Sequence, residues 1–231
     1  MTTFSFPAQL LPRLSRLVLA ADSGNTVLDH LALRITPTAF RLSATDGKML
    51  ASMVHELTDV QGEPTDVILD RVQIVAACKL LSKAGGRISV SIGETEARFT
   101  SGSVSGIVRL REGNYPKFEN MWQRTEGQRW LPCAASLDPA YIAKAQAIMG
   151  KSTLLFRSPV PAHSDALRIW KAEPGALLSP ADIAAWANSP AYSSDGVLAI
   201  LIMPIARSDE SHDLNLSAFM CPQVSAVSLA A

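Results

Sequence analysis

Apolar and polar residues change period along this 231-residue chain, and the changes mark out its elements. Residues 3–6 alternate, as a half-buried strand does. From Pro7 the period lengthens, with Leu10, Leu11, Leu14, Leu17 and Val18 at helical spacing as far as Ala21. Pro12 falls in the first turn, where a missing N–H is tolerated. Residues 31–35, 39–44 and 49–57 then read as strands, divided by Thr36-Pro37 and Asp46-Gly47 turn signals. The order is β-α-β-β-β, and it recurs. Residues 66–69 form a strand and Asp70 is placed to cap a helix over 71–83. Val72, Ile74, Val75, Leu80 and Leu81 supply its apolar side, and Gly85-Gly86 stops it. Strands over 87–92, 97–101 and 104–110 complete the second unit, an internal duplication of pattern rather than of sequence.

Beyond residue 122 the pattern loosens. Residues 123–129 are polar and read as a linker between a first domain, 1–122, and a less regular second domain, 130–231. The second begins with a strand over 130–136, and Asp138-Pro139 opens a helix running to 149. Strands over 153–157 and 166–171 follow, then a short helix started by Ser179-Pro180-Ala181-Asp182. Residues 197–205, 214–220 and 224–229 read as closing strands. The class is α+β, built from repeated β-α-β-β-β units.

Composition narrows the function. Hydrophobic residues make up 48% and charged residues 18%, so a packed core is expected and bulk disorder is not. No apolar run is long enough to cross a bilayer, and the N-terminus lacks a basic stretch followed by a long apolar one. Cys78, Cys133 and Cys221 are widely spaced and odd in number, which suits a reducing cytoplasm and gives no metal or disulfide framework. His30, His55, His163 and His212 are scattered, no G-x-S-x-G elbow occurs, and Gly85-Gly86 lacks the Lys-Ser/Thr of a phosphate loop. Neither a cofactor nor an enzymatic activity is expected.

Net charge is zero, but it is unevenly placed. The helical segments 7–21, 71–87, 138–151 and 179–189 hold Arg13, Arg16, Arg71, Lys79, Lys83, Arg87, Lys144 and Lys151 against only Asp138 and Asp182. Both acids sit at helix starts, where the macrodipole favours them. Such a distribution fits helices that face phosphates. It would equally fit the solvent face of any amphipathic helix.

Two motifs about sixty residues apart sharpen the choice. Ala44-Thr45-Asp46-Gly47 resembles the ATDG turn, and Glu112-Gly113-Asn114-Tyr115-Pro116 the (E/D)G-x-(Y/F)-P ending, of the middle domain of the bacterial sliding clamp, the beta subunit of DNA polymerase III. Residues 96–101 fit the strand between them. Residues 137–142 resemble the helix opening of the last clamp domain. Met203-Pro204-Ile205-Ala206-Arg207 is similar to the closing (V/I)MPMR strand, although about 24 residues follow where the family normally stops.

The resemblance implies a clamp fold, with helices lining a central hole and sheets forming the outer wall. Arg13, Arg16, Lys79, Lys83 and Lys144 would then contact duplex DNA without reading bases. Thr45, Gly47, Lys48, Met49 and Leu50, with Met203, Pro204 and Ile205, would line a pocket for a short linear peptide of a polymerase or other replication protein. Lys48 stands for a histidine, Met49 for an arginine and Ile205 for the second methionine, so partner preference would differ. A tight turn and a strand packed in the core would also account for this set. A separate ATP-driven loader is implied, and two domains per chain favour a homotrimer. The alternative is a clamp-derived interaction module that closes no ring.

Overall fold

A computed structural model describes residues 1–21, 24, 27–83, 85–116, 130–132, 137–150, 157–159, 191–194 and 198–202. The linker, the helix expected at 179–189, the strands expected over 166–171, 214–220 and 224–229, and Met203, Pro204 and Ile205 lie outside these residues. No helix among the described residues is long and apolar enough to cross a membrane.

The first unit consists of β1 (Thr2–Pro7), a helical segment, β2 (Leu31–Ile35), β3 (Ala39–Thr45) and β4 (Met49–Glu56). In β1 the alternation works as expected, with Phe4 and Phe6 buried and Thr3 and Ser5 half-buried. The segment expected as one helix over 7–21 is three pieces: a 3-10 turn Ala8–Leu10, α1 (Leu11–Arg16) and a second 3-10 turn Leu17–Ala20. Pro12 explains the first break. It has no N–H to offer the Ala8 carbonyl four residues back, so Leu11 N–H takes that carbonyl in a tighter turn.

The second unit consists of β5 (Thr65–Leu69), α2 (Arg71–Leu81), β6 (Arg87–Ile92), β7 (Glu96–Ser101) and β8 (Val104–Arg111). Asp70 caps α2 by accepting the Gln73 N–H at 2.9 Å. The inner face of α2 differs from the expected one: Ile74, Ala77, Cys78 and Leu81 are buried, while Val72 and Leu80 are 69% and 52% exposed. At about 100° per residue, Val72 and Leu80 point away from the Ile74–Cys78–Leu81 stripe. The helix also ends before Arg87, which lies on β6.

Further along, β9 (Trp130–Pro132), α3 (Pro139–Met149), β10 (Arg157–Pro159), β11 (Ala191–Ser194) and β12 (Leu198–Ile202) follow. The twelve described strands form one antiparallel-paired sheet in the order β1-β6-β7-β8-β5-β2-β3-β4-β12-β11-β10-β9. The two units exchange their first strands: β1 pairs with β6 and β5 pairs with β2. Two residue pairs, Ile68 with Arg111 and Leu69 with Leu110, join the halves.

The sheet is curled. β1 and β3 are far apart in strand order, yet Phe40 stands 5.5 Å from Phe4 and 5.4 Å from Phe6, ring centre to ring centre. These rings fill the concave side, a geometry that adds to their area burial. α1 packs against both α2 and α3 on that side. Burial pushes the Cys78 thiol up to about 12, so it packs as a small hydrophobe.

Helix and sheet approach closely at Gly106, where a Cβ would stand 2.7 Å from the Cβ and 3.1 Å from the Cα of Ala77. Neither atom belongs to a flexible side chain. Gly106→Ala is expected to destabilise the protein by about 1–3 kcal/mol through overpacking, read as a lower urea midpoint at unchanged m-value.

Candidate functional site

Strands β3 and β4 are joined by Asp46-Gly47-Lys48, and the turn is closed by its own side chains. Asp46 Oδ1 accepts the N–H of Lys48 at 3.0 Å and of Met49 at 2.8 Å. Thr45 Oγ1 donates to the Met49 carbonyl at 2.6 Å and accepts the Gly47 N–H at 3.1 Å. Gly47 adopts φ 86°, a region glycine enters without a steric penalty. Asp46 thus has the turn chemistry expected of an Asp-Gly pair.

The second motif meets this turn in space. Tyr115 is half-buried, and its hydroxyl donates to the His30 carbonyl at 3.2 Å. Burial pushes the phenol well above its ordinary value, outweighing a backbone hydrogen bond at Thr45. Tyr115 of the EGNYP segment therefore reaches the strand end, at Thr45, that leads into the ATDG turn.

α3 reaches the same turn. Lys144 Nζ lies 3.2 Å from Asp46 Oδ2 and 4.8 Å from the centre of the Tyr141 ring. Burial alone would raise the Asp46 pKa. Hydrogen bonds from the Met49 and Lys48 backbone, then from Lys144 and Tyr141, outweigh it and hold the carboxyl below the usual aspartate range. Sequence spacing could not reveal this clasp, because its members are 98 residues apart.

The residues expected to line a peptide pocket divide. Gly47 and Lys48 are exposed on the turn, whereas Thr45, Met49 and Leu50 are buried. Met49 and Leu50 sit opposite Ile202 and Leu201 of β12, so the strand before Met203 runs beside the turn. A cavity of about 520 Å³ opens near it on the other face of the sheet from Phe40, among Ala32, Arg34, Arg41, Asp66, Tyr115 and Pro116. Arg34 holds Asp66 there with two hydrogen bonds, 2.8 and 2.7 Å.

The basic residues expected to face DNA also divide. Lys79 and Lys83 are exposed, and neither meets a described carboxylate within 4.0 Å. Arg16 is exposed on α1, its guanidinium against Gly150 at the end of α3, where the helix dipole favours a cation. Arg13 is half-buried and Lys144 belongs to the Asp46 clasp. Of the other cations expected on helices, Arg71 on α2 pairs with Asp29 at 3.0 Å and Arg87, which lies on β6, pairs with Asp59 at 3.5 Å. No group of three or more metal-ligating side chains occurs among the described residues.

Residues 12–117 match the model of the DNA polymerase III beta subunit, central domain, a span that contains both motifs, the whole second unit and the first unit from α1 onward, but not β1. This segment of the chain resembles the DNA sliding clamp family. It is 27% identical over 94 residues to a beta sliding clamp of Pseudomonas putida, an overlap of 41% of this chain and 26% of the relative. The chain's match thus spans about a quarter of the length of that curated clamp. Among solved structures, the DNA polymerase III subunit beta of Pseudomonas aeruginosa has a TM-score of 0.63 at 16% identity, covering 89% of this chain and 67% of that one. The Bacillus subtilis sliding clamp has a TM-score of 0.59 at 17% identity, covering 89% and 64%. These likenesses show the clamp fold.

Two outcomes are expected. Tyr115→Phe leaves the His30 carbonyl without its donor and lowers stability by about 1 kcal/mol in urea unfolding. Because the folded pKa of Asp46 is depressed, its contribution is present above the unfolded aspartate value of 3.8 and is lost as pH falls through the folded value. Asp46→Asn should therefore lower stability at pH 7 and flatten the acid-side loss of stability below about pH 4, measured by unfolding at a series of pH values.

Proposed function

We propose that this chain is a non-catalytic, sliding-clamp-like component of a cytoplasmic replication machinery. It holds duplex DNA against the helix-bearing side of its sheet and docks a partner peptide beside the β3–β4 turn. The observation that carries this reading is the clamp-family segment folded so that α1, α2 and α3 lie together on the concave side of one sheet. Lys79 and Arg16 are exposed cations on those helices, Lys83 is exposed in the turn after α2, and Arg13 and Lys144 stand nearer the packed regions. Contacts of this kind meet phosphates and carry no base sequence. Retention comes from topology, so a few weak contacts suffice, and a separate ATP-driven loader places the protein on DNA.

The peptide site is bounded on one wall by the exposed Gly47 and Lys48, with Thr45, Met49 and Leu50 buried behind them, and on the other by Met203, Pro204 and Ile205. The two walls belong to a first domain over 1–122 and a second over 130–231, joined by 123–129. Lys48 presents an ammonium group at the rim, so a peptide with a carboxylate there is favoured.

Loss from circular and linearised DNA at moderate salt tests the encircling role. A clamp leaves linear DNA much faster than circular DNA, and equal rates would refute encirclement. In the same assay, the double substitution Lys79→Glu and Lys83→Glu should reduce the log–log salt slope of equilibrium binding by about 2 while thermal stability is unchanged. A second reading, an interaction module that closes no ring, is favoured by the four strands β9–β12 and the single described helix α3 of the second region.

A further inference from the structure

On the face of the sheet away from Phe40, strand pairing sets Asp66 of β5, Arg34 of β2 and Arg41 of β3 in one row. Residues directly opposite in antiparallel strands point to the same face, and like charges so placed are destabilising. Asp66 answers Arg34 through the two hydrogen bonds given above. Arg41 has no such answer. It is half-buried, and among the described residues no carboxylate lies within 4.0 Å of its guanidinium. Elsewhere on the sheet, Arg87, Arg98 and Arg111 each meet one.

The row borders the cavity of about 520 Å³. Two residues along each strand, on the same face, stand Ala32 and Ser43, whose small side chains leave room above them. Ser43 is buried and shares a hydrogen bond of 2.9 Å with Ser52, so this floor is polar only beneath its surface. Ile68 and Pro116 add apolar wall, and Tyr115 turns its hydroxyl to the His30 carbonyl. A mostly apolar hollow with one unanswered guanidinium suits a carboxylate carried on a short apolar stem, which the planar fork grips with paired hydrogen bonds. One such group balances the row of two arginines and one aspartate. The hollow is also continuous with the turn: Arg41, Ser43 and Thr45 share one face of β3, and Thr45 leads into Asp46-Gly47.

Resting on the reading that a peptide docks beside the β3–β4 turn, we propose that this cavity is a carboxylate subsite in which Arg41 takes an Asp or Glu side chain of that peptide. From Thr45 to Arg41 is four residues of strand, roughly 13 Å, so an extended peptide places the acid about four residues from the part seated at the turn. Arg34, engaged by Asp66, fixes the edge of the site and adds to its positive field. The subsite is distinct from Lys48, which is exposed at the rim of the turn.

The test selects a phage-displayed library of random linear peptides on the full chain and on its Arg41→Gln variant. Peptides selected on the unaltered chain should carry Asp or Glu about four positions from an apolar residue, and those selected on Arg41→Gln should not. The strongest selected peptide, resynthesised with the acid changed to its amide, should bind about tenfold more weakly. Arg41→Gln should abolish that difference, Lys48→Gln should preserve it, and Arg41→Gln should not lower the urea midpoint, since it removes a like charge beside Arg34. Selected peptides without the acid, or an acid whose contribution survives Arg41→Gln or vanishes with Lys48→Gln, would overturn the subsite and leave docking at the turn standing. Glutarate bound at Arg41 as tightly as the peptide would assign the cavity to free acids and overturn it as well. Selection of no peptide would overturn the docking reading and the subsite with it.

Discussion

The arrangement depends on β4 being paired along both edges. Seven residue pairs tie it to β3 and five tie it to β12. Backbone groups of a strand must find partners when buried, and β4 finds them on one side from a neighbour nine residues away at Ser43–Ser52 and on the other from strands beyond residue 190. Its inward row of Met49, Ala51 and Met53 closes over Ile202, Ile200 and Leu198, so hydrogen bonding and apolar burial act along the same line. Among the described residues beyond 130, α3 is the other element that packs against the first unit, on α1 and the Leu17–Ala20 turn.

Around that ladder, charged groups act mainly as fasteners. Asp70 caps α2, ties to Arg111 and takes part through its N–H in holding the end of β8. Asp46 closes its own turn and receives Lys144 from α3. Arg71 and Arg87 are likewise engaged by Asp29 and Asp59. The positive field of the helix-bearing side is consequently concentrated at a few exposed residues, Lys79 and Lys83 foremost. The proposed role needs no more, because each exposed charge would contribute to loose, salt-sensitive contact rather than to a specific grip.

Much of the two β-α-β-β-β units was legible as a one-dimensional pattern. Alternation in Thr3–Phe4–Ser5–Phe6 placed β1, and Asp46-Gly47 placed the β3–β4 turn, because strand period and turn chemistry are local properties. Asp70 as a cap and Asp138-Pro139 as a helix start were read correctly for the same reason. The inner face of α2 was not, since Val72, Val75 and Leu80 are as apolar as Ile74 and Leu81, and only docking on β8 selects the Ile74–Cys78–Leu81 stripe. The breaks around α1 were also missed, although Pro12 carried the signal.

The sequence by itself determined the repeated units, the two motifs of the clamp family and the excess of cations in the helical segments, because each follows from residue type and spacing. Tertiary structure alone decided that the units exchange their first strands, that Tyr115 reaches the strand end at Thr45, and that Lys144 answers Asp46. It also decided which strand edges are filled. Those outcomes depend on how the sheet curls, and curling brings together residues 60 to 100 positions apart whose pairing no local period encodes.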